Sequence, residues 1–363
     1  MIDNRRRFLK KTAAGLAGLA VTGLRTGAQQ PPNPAAPAKA QTAIPRWRGF
    51  NLLDMFTMHS RGDFAEDDFK WIRDFGFDFV RFPTCYRLWI EGGDDYKINE
   101  AMLAKLDRGI ELAGKSGLHV SLNFHRGPGY SVNAEFKEPH NLWKDKSALD
   151  AFCFHWQLMA KRYKGIGRDK LSFDLINEPP SVGEQMSRAD HERVVRTTVA
   201  AIRQINPDRL VVADGLSWGN EPMPELADLG IAESTRAYQP MFISHFGASW
   251  VDSANYPQPA WPGNGWDRKR LEEHYAKWAD VARKGVGVHC GEGGAFNKTP
   301  HPVVLAWLRD VLEILTGHGI GLALWNFRGS FGIIDSGRTD VQYEDFQGRK
   351  LDRKLLSLLQ EFA

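Results

Sequence analysis

"FDLINEPPS", Phe173 to Ser181, is the stretch that decides the fold. The run Phe-Asp-Leu-Ile reads as a short buried strand, and Pro179 stops it because proline cannot donate to a ladder. Glu178 therefore stands where a strand ends. Such a position is a rim, and folds keep much of their chemistry on rims held by a rigid frame.

Seven further runs of the same kind lie outward from this one: "RGFNLL" (48–53), "FDFVRFP" (77–83), "LHVSLNF" (118–124), "RLVVAD" (209–214), "MFISHF" (241–246), "VGVHCGE" (286–292) and "GLALWNF" (321–327). With "LSFDLI" (171–176) they make eight. Between them apolar residues recur at helical spacing. Leu149, Phe152, Trp156, Met159 and Tyr163 mark one face, Val195, Val199, Ile202 and Ile205 the next, and Val304, Leu308, Val311, Leu312 and Leu315 a third. No period-two hairpin signal joins neighbouring strands. Eight strand-then-helix units predict an α/β protein with a single (β/α)8 TIM barrel over residues 46–363, whose reactive groups sit at the carboxyl ends of the strands. An open doubly wound sheet is the alternative, but no G-x-G-x-x-G follows the first strand.

The first 28 residues read differently. Arg5 and Arg6 with Phe8-Leu9-Lys10, followed by the mildly apolar "TAAGLAGLAVTGL", resemble a twin-arginine export signal. That stretch is too short and too weakly apolar for a bilayer anchor, and it carries no cysteine for a lipid. The precursor is thus expected to meet the twin-arginine machinery, to be cut near Ala28, and to work in the periplasm or outside the cell. Residues 29–45 form a Pro/Ala-rich linker with too few large apolar groups to offset the entropy of ordering. A net charge of +3 over 363 residues, much of it in the leader, gives no electrostatic ground for a nucleic-acid partner. Cys85, Cys153 and Cys290 are odd in number and lack zinc-ligand spacing, so they read as packed small hydrophobes or one bridge with one left over.

The last residues of the strands bring distant chemistry to one mouth: Arg81, His125, Asn177, Glu178, His245, Glu292 and Trp325. Two carboxylates facing each other fit cleavage of a glycosidic bond, which needs an acid on one side of the anomeric carbon and an anionic group on the other. One carboxyl must stay neutral at working pH while its partner is ionised, which unlike surroundings provide.

"VRFP" closing the second strand, "INEP" after the fourth, "GEGGAF" closing the seventh and "LWNFRG" closing the eighth together resemble glycoside hydrolase family 5, the cellulase-like retaining β-glycosidases of clan A. The resemblance runs from Arg46 to the end of the chain. It implies that Glu178 is the general acid/base and Glu292 the nucleophile, about 5 to 5.5 Å apart as retention requires. It further implies that Asn177 binds the sugar 2-hydroxyl, that Arg81 keeps Glu292 ionised, that His125 and His245 bind sugar hydroxyls and orient the carboxylates, and that Trp325 forms the floor under the reacting sugar. No metal or organic cofactor is implied. The substrate implied is a β-linked glucan, with endo-β-1,4-glucanase as the leading activity; mannan, β-1,3-glucan and exo-acting β-glucosidase chemistry stay open. The alternative of another class is a non-catalytic carbohydrate-binding barrel.

One feature of the family is missing. A tyrosine usually follows the sixth-strand histidine by two positions and bonds the nucleophile, whereas Phe246 and Gly247 follow His245 here. Tyr238 and Tyr256 are both candidates for the role, and the sequence selects neither. The long loop from Gly247 to Trp266 carries Trp250 and Trp261, whose faces either stack on pyranose rings as subsite platforms or pin the loop to the barrel. Trp89 and Trp143 are further candidates of the same kind. His155, His191 and His289 read as packing residues, and the absence of H-E-x-x-H leaves a zinc hydrolase without support.

Overall fold

The computed structural model describes residues 42–133 and 137–362. The export signal and nearly all of the linker lie outside the described residues. Eight parallel strands form the frame: β1 (Gly49–Asn51), β2 (Phe79–Cys85), β3 (His119–Gly127), β4 (Leu171–Asp174), β5 (Leu210–Asp214), β6 (Ala232–Ala237), β7 (Val288–Gly293) and β8 (Gly321–Leu324). Each pairs with its neighbour in chain order, and β8 pairs back onto β1, so the sheet closes. Closure leaves these eight strands without an exposed ladder edge.

Seven helices wrap the barrel: α1 (Glu66–Asp74), α2 (Glu100–Lys115), α3 (Lys146–Arg162), α4 (Arg188–Arg203), α5 (Arg268–Arg283), α6 (His301–Gly317) and α7 (Arg353–Glu361). Their starts are fixed locally. Asn99 and Asp352 accept the third helical N–H of α2 and α7, and Ser187 with Asp190 closes a capping box on α4. Strand residues alternate accordingly: Val80, Phe82 and Val211 join the large core under the helices, while Phe79, Leu210 and Val212 pack inside the barrel with Trp47 and Ala323. Above that apolar floor the inward positions turn charged. Arg81, Asp174, Asp214 and Arg236 occupy them, all buried.

The expected sixth strand is corrected. Residues 241–246 do not form a strand: Met241–Ser244 is one short helical turn capped by Pro240, burying Phe242 and Ile243. The sixth strand is "AESTRA", Ala232–Ala237. Its pattern hid it because neither face is apolar. Ser234 and Arg236 look into the charged interior, and the outward pair is met by loop backbone instead of a helix. Glu233 accepts the N–H of Met223 at 2.8 Å and Thr235 donates to the carbonyl of Gly219 at 3.0 Å. The β5–β6 connection carries only a short turn and the 3-10 helix Pro224–Leu229 where the other units place a long helix. The three cysteines are free.

Candidate active site

Glu178 lies four residues past the last ladder residue of β4, and its backbone is held on both sides. Its N–H donates to Oδ2 of Asp214 at 2.9 Å, and its carbonyl accepts the hydroxyl of Tyr130 at 2.6 Å. Those two bonds sustain a φ of 50°, a left-handed conformation that costs a non-glycine residue about 1–3 kcal/mol. Pro179 and Pro180 continue the hold, their carbonyls accepting the N–H groups of Trp218 and Ser217 at 2.9 and 3.3 Å. The strain points the carboxyl into the mouth of the barrel.

Glu292 reaches the same mouth by a β-bulge. Cys290 pairs with Thr235 and Glu292 with Arg236, so Gly291 and Glu292 together face one residue of β6. Strict alternation from the outward Cys290 would turn Glu292 outward too, and the extra residue turns it in. Gly291 is required at this point, since a Cβ there would stand 2.7 Å from the Ser234 hydroxyl. Asn51 at the end of β1 secures the bulge by donating to the Gly291 carbonyl at 3.0 Å and the Leu324 carbonyl at 3.1 Å.

Two guanidiniums hold four carboxylates between them. Arg81 donates to Asp174 Oδ2 at 2.7 Å, to Glu292 Oε1 at 2.5 Å and to Asn177 Oδ1 at 2.9 Å. Arg236 donates to Glu178 Oε1 at 3.0 Å and to Asn177 Oδ1 at 2.9 Å, makes a close bidentate pair with Asp214, and stands 3.6 Å from Glu292 Oε1. One guanidinium therefore touches both glutamates. With the Asn177 carbonyl oxygen taken by two arginines, its amide N–H is the group left to meet a ligand.

The two acids differ in what surrounds them. Burial is the largest influence on Glu178, the charge of Glu292 adds to it, and Arg236 opposes both; together they push its carboxyl up to about 8. Glu292 instead accepts from Arg81 and, through Oε2, from the hydroxyl of Tyr238 at 3.0 Å. Glu178 is thus pushed toward its neutral form, while both oxygens of Glu292 accept from donors.

The remaining expected residues divide. His125 lies buried 4.0 Å from Glu292 Oε1 and 3.4 Å from the Asn177 amide nitrogen. Burial first, then the charges of Arg81, Arg236 and Arg126, hold it well below the usual histidine range and keep it neutral. Trp325 is half-buried, stacks on His125 at 5.5 Å, and meets the edge of Phe56 at 5.4 Å. His245 is not at a strand end. It follows the short turn after β6, packs edge-on against Tyr238 at 4.9 Å, and is lowered to about 4 by burial. Trp250 is 55% exposed and rests on Phe296, His245 and Phe331. Trp261 donates its indole N–H to Asp310 of α6 at 2.8 Å, which ties the loop to the helical layer. Trp89 and Trp143 are corrected: both are fully buried in the core and present no face to a sugar.

Two contributors escaped the sequence, and a third stood between two candidates. Tyr238, not Tyr256, is the tyrosine on the Glu292 carboxylate, two residues beyond Arg236 at the true sixth strand. Arg236 itself sits where the family usually has a histidine, and misplacing the strand concealed it. Asn51 gave no signal, since its work is to bond a carbonyl that only the bulge exposes.

A closed (β/α)8 barrel whose mouth holds two glutamates in unlike surroundings, one guanidinium beside both, is the frame of a glycoside hydrolase. The family model for cellulase, glycosyl hydrolase family 5, matches residues 38–330. Endoglucanase C of Acetivibrio thermocellus is 27% identical over 335 residues, covering 82% of this chain and 95% of that protein. Cellodextrinase A of Ruminococcus flavefaciens is 26% identical over 266 residues, covering 70% and 76%. A crystal structure of a glycoside hydrolase superposes with a TM-score of 0.83 at 41% identity over 87% of this chain and 99% of that one. The chain belongs to the cellulase family, glycosyl hydrolase family 5, and is a cellulase-like glycoside hydrolase.

Proposed function

We propose that the chain cuts β-1,4-linked glucan within the polymer by double displacement, with Glu178 as acid/base and Glu292 as nucleophile. The observation that carries this is the single guanidinium of Arg236 lying against both carboxyls, one raised toward neutrality and the other held by Arg81 and Tyr238. In the first step a carboxylate oxygen of Glu292 bonds to the anomeric carbon while the bond to the leaving oxygen breaks. The proton of Glu178 goes to that oxygen, so the aglycone departs as an alcohol. In the second step Glu178, now a carboxylate, takes a proton from water as the water oxygen bonds the anomeric carbon and Glu292 is released. No proton or electron is left over.

The Asn177 amide is the donor for the sugar 2-hydroxyl, and Trp325, backed by His125 and Phe56, is the floor under the reacting ring. Arg81, fully buried with its donors occupied, acts on the substrate through Glu292 and Asn177. Trp250, exposed on the rim, is the platform for a neighbouring glucose. Endo action on glucan rests on the relative named as an endoglucanase over 95% of its length. The Arg5-Arg6 leader supports export through the twin-arginine machinery to the periplasm or beyond. Substrate choice is tested by a panel of carboxymethyl-cellulose, lichenan, mannan, xyloglucan and aryl β-glycosides with product sizes followed over time. Early mid-sized products from the β-1,4-glucans support the proposal; release of only single sugars, or preference for mannan, would replace it. Export is tested by fractionating cells that carry Arg5→Lys with Arg6→Lys, which should retain the precursor inside.

A further inference from the structure

Arg236 is buried with every donor occupied. Its Nε bonds Glu178, its Nη1 reaches Asp214, the Ser234 hydroxyl and the Thr235 carbonyl, and its Nη2 reaches Asp214 and Asn177. None of its five N–H groups is free for a sugar. It lies 3.0 Å from Glu178 at one end and 3.6 Å from Glu292 at the other.

We propose that Arg236 is the positioning residue that stays beside the negative charge as Glu292 loses it to the new bond with carbon and Glu178 gains it by giving up its proton, and that it sets the pH range over which the first displacement works. This rests on the roles assigned above. Before attack the guanidinium faces an ionised Glu292 and a neutral Glu178. As Glu292 bonds to carbon it loses its charge, and as Glu178 gives up its proton it gains one. The number of negative charges beside Arg236 is the same before and after, so its field need not be rebuilt as the reaction proceeds. Its Nε–H···Oε1 bond to Glu178 becomes charge-assisted as the proton leaves. Because Oε1 is taken by that bond, Oε2 is the oxygen that carries the proton to the substrate.

The surroundings allow the sign of the effect to be worked out. Glu178 faces Arg236 from β6, Asp214 from β5, Glu292 from β7, and the hydroxyls of Tyr130 and Tyr238. Glu292 faces Arg81 from β2, His125 from β3, Tyr238 and Arg236, while the outward Cys290 thiol bonds its backbone carbonyl. Asp174 on β4 feels both guanidiniums, and His289 in the interior feels both as well. The histidines are held neutral and the tyrosines protonated, so the groups that titrate near neutrality are carboxyls. Removing the positive charge of Arg236 takes away the cation bonded to Glu178, so that carboxyl is pushed further up.

The test is the pH dependence of kcat/KM for the wild type, Arg236→Gln and Arg236→Lys on the best polysaccharide substrate. Arg236→Gln should move the alkaline limb to higher pH by about one unit or more, as expected when an opposite charge within hydrogen-bonding distance is lost. Arg236→Lys keeps the charge but cannot reach both carboxyls, so its limbs should stay near those of the wild type while kcat/KM falls about tenfold. A residue that only supports the barrel would lower the rate without moving a limb. Unmoved limbs in Arg236→Gln, or limbs moved equally in both variants, overturn the proposal. If Arg236→Gln does not fold, Arg236→His replaces it: the family's usual residue there is neutral at the alkaline limb, and the same upward shift is required. Failure of the underlying roles shows separately, as polysaccharide turnover that survives Glu178→Gln.

Discussion

The hydroxyl of Tyr238 lies 3.0 Å from Oε2 of Glu292. Burial, and then the charges of Glu292 and Glu178, raise this phenol well above its ordinary range, so it stays a donor throughout the useful pH range. A hydrogen bond to a charged group contributes about 1.5–3 kcal/mol. Tyr238→Phe should therefore lower kcat roughly 10- to 100-fold with little change in melting temperature. Steady-state kinetics with a melting curve checks both halves.

Glu178→Gln should separate the two jobs of that side chain. On polysaccharide, where the leaving oxygen needs a proton, turnover should fall by about 10²–10⁴ or more. On an aryl β-glycoside with an acidic phenol the first step needs little help, and the block moves to the second. Added azide, a nucleophile that needs no base, should then restore turnover and give a β-glycosyl azide identifiable by NMR. No rescue would remove Glu178 from the acid/base role.

The pH profile has a defined direction. Glu178 is raised by burial and by Glu292 to about 8, and it must be protonated for the first step. Activity should be held below that value and lost as pH rises through it, giving an alkaline limb of kcat/KM near pH 8. The same raised carboxyl contributes stability that is fully present below its unfolded pKa and lost as pH climbs past the folded one. A limb near pH 5 would mean that Glu178 is ionised in the free enzyme.

Asn51→Ala should cost more than its distance from the substrate suggests. It strips the bulge carbonyl of Gly291 and the Leu324 carbonyl of a shared donor, and Arg81 Nη1 of an acceptor at 3.1 Å. Buried groups left unpaired cost about 1–3 kcal/mol each. A lower melting temperature together with a fall in kcat is expected, because Glu292 sits on the loosened bulge.

Trp250→Ala tests the rim. With over half of its surface exposed and its packing limited to aromatic edges, the ring can be removed without opening the core. KM on polymer should rise several-fold while kcat on a short aryl glycoside stays near the wild type. Equal kinetics on both substrates would assign the ring to loop packing.

The barrel was legible because its outward strand faces and helix faces are apolar at regular spacing. Glu178 and Glu292 were legible because proline and glycine mark where their strands stop. The sixth strand was not, since a strand with polar residues on both faces looks like a loop until the groups that satisfy Glu233 and Thr235 are known. His245 reads as a strand end because "MFISHF" is the more apolar run, although Met241–Ser244 forms a helical turn. Arg236 is hidden behind that run, and without the true sixth strand nothing selects Tyr238 over Tyr256. The inward turn of Glu292 depends on a bulge, which shifts register by one residue and leaves only a glycine as its trace.

The central claim is that Glu292 forms the covalent bond in a mouth it shares with Glu178. An activated 2-deoxy-2-fluoro cello-oligosaccharide lets the glycosyl-enzyme accumulate, and peptide mass spectrometry locates the sugar. The account predicts one added glycosyl group, carried by Glu292 in "CGEGG". A label on any other residue, or inverted product with no label at all, would contradict it.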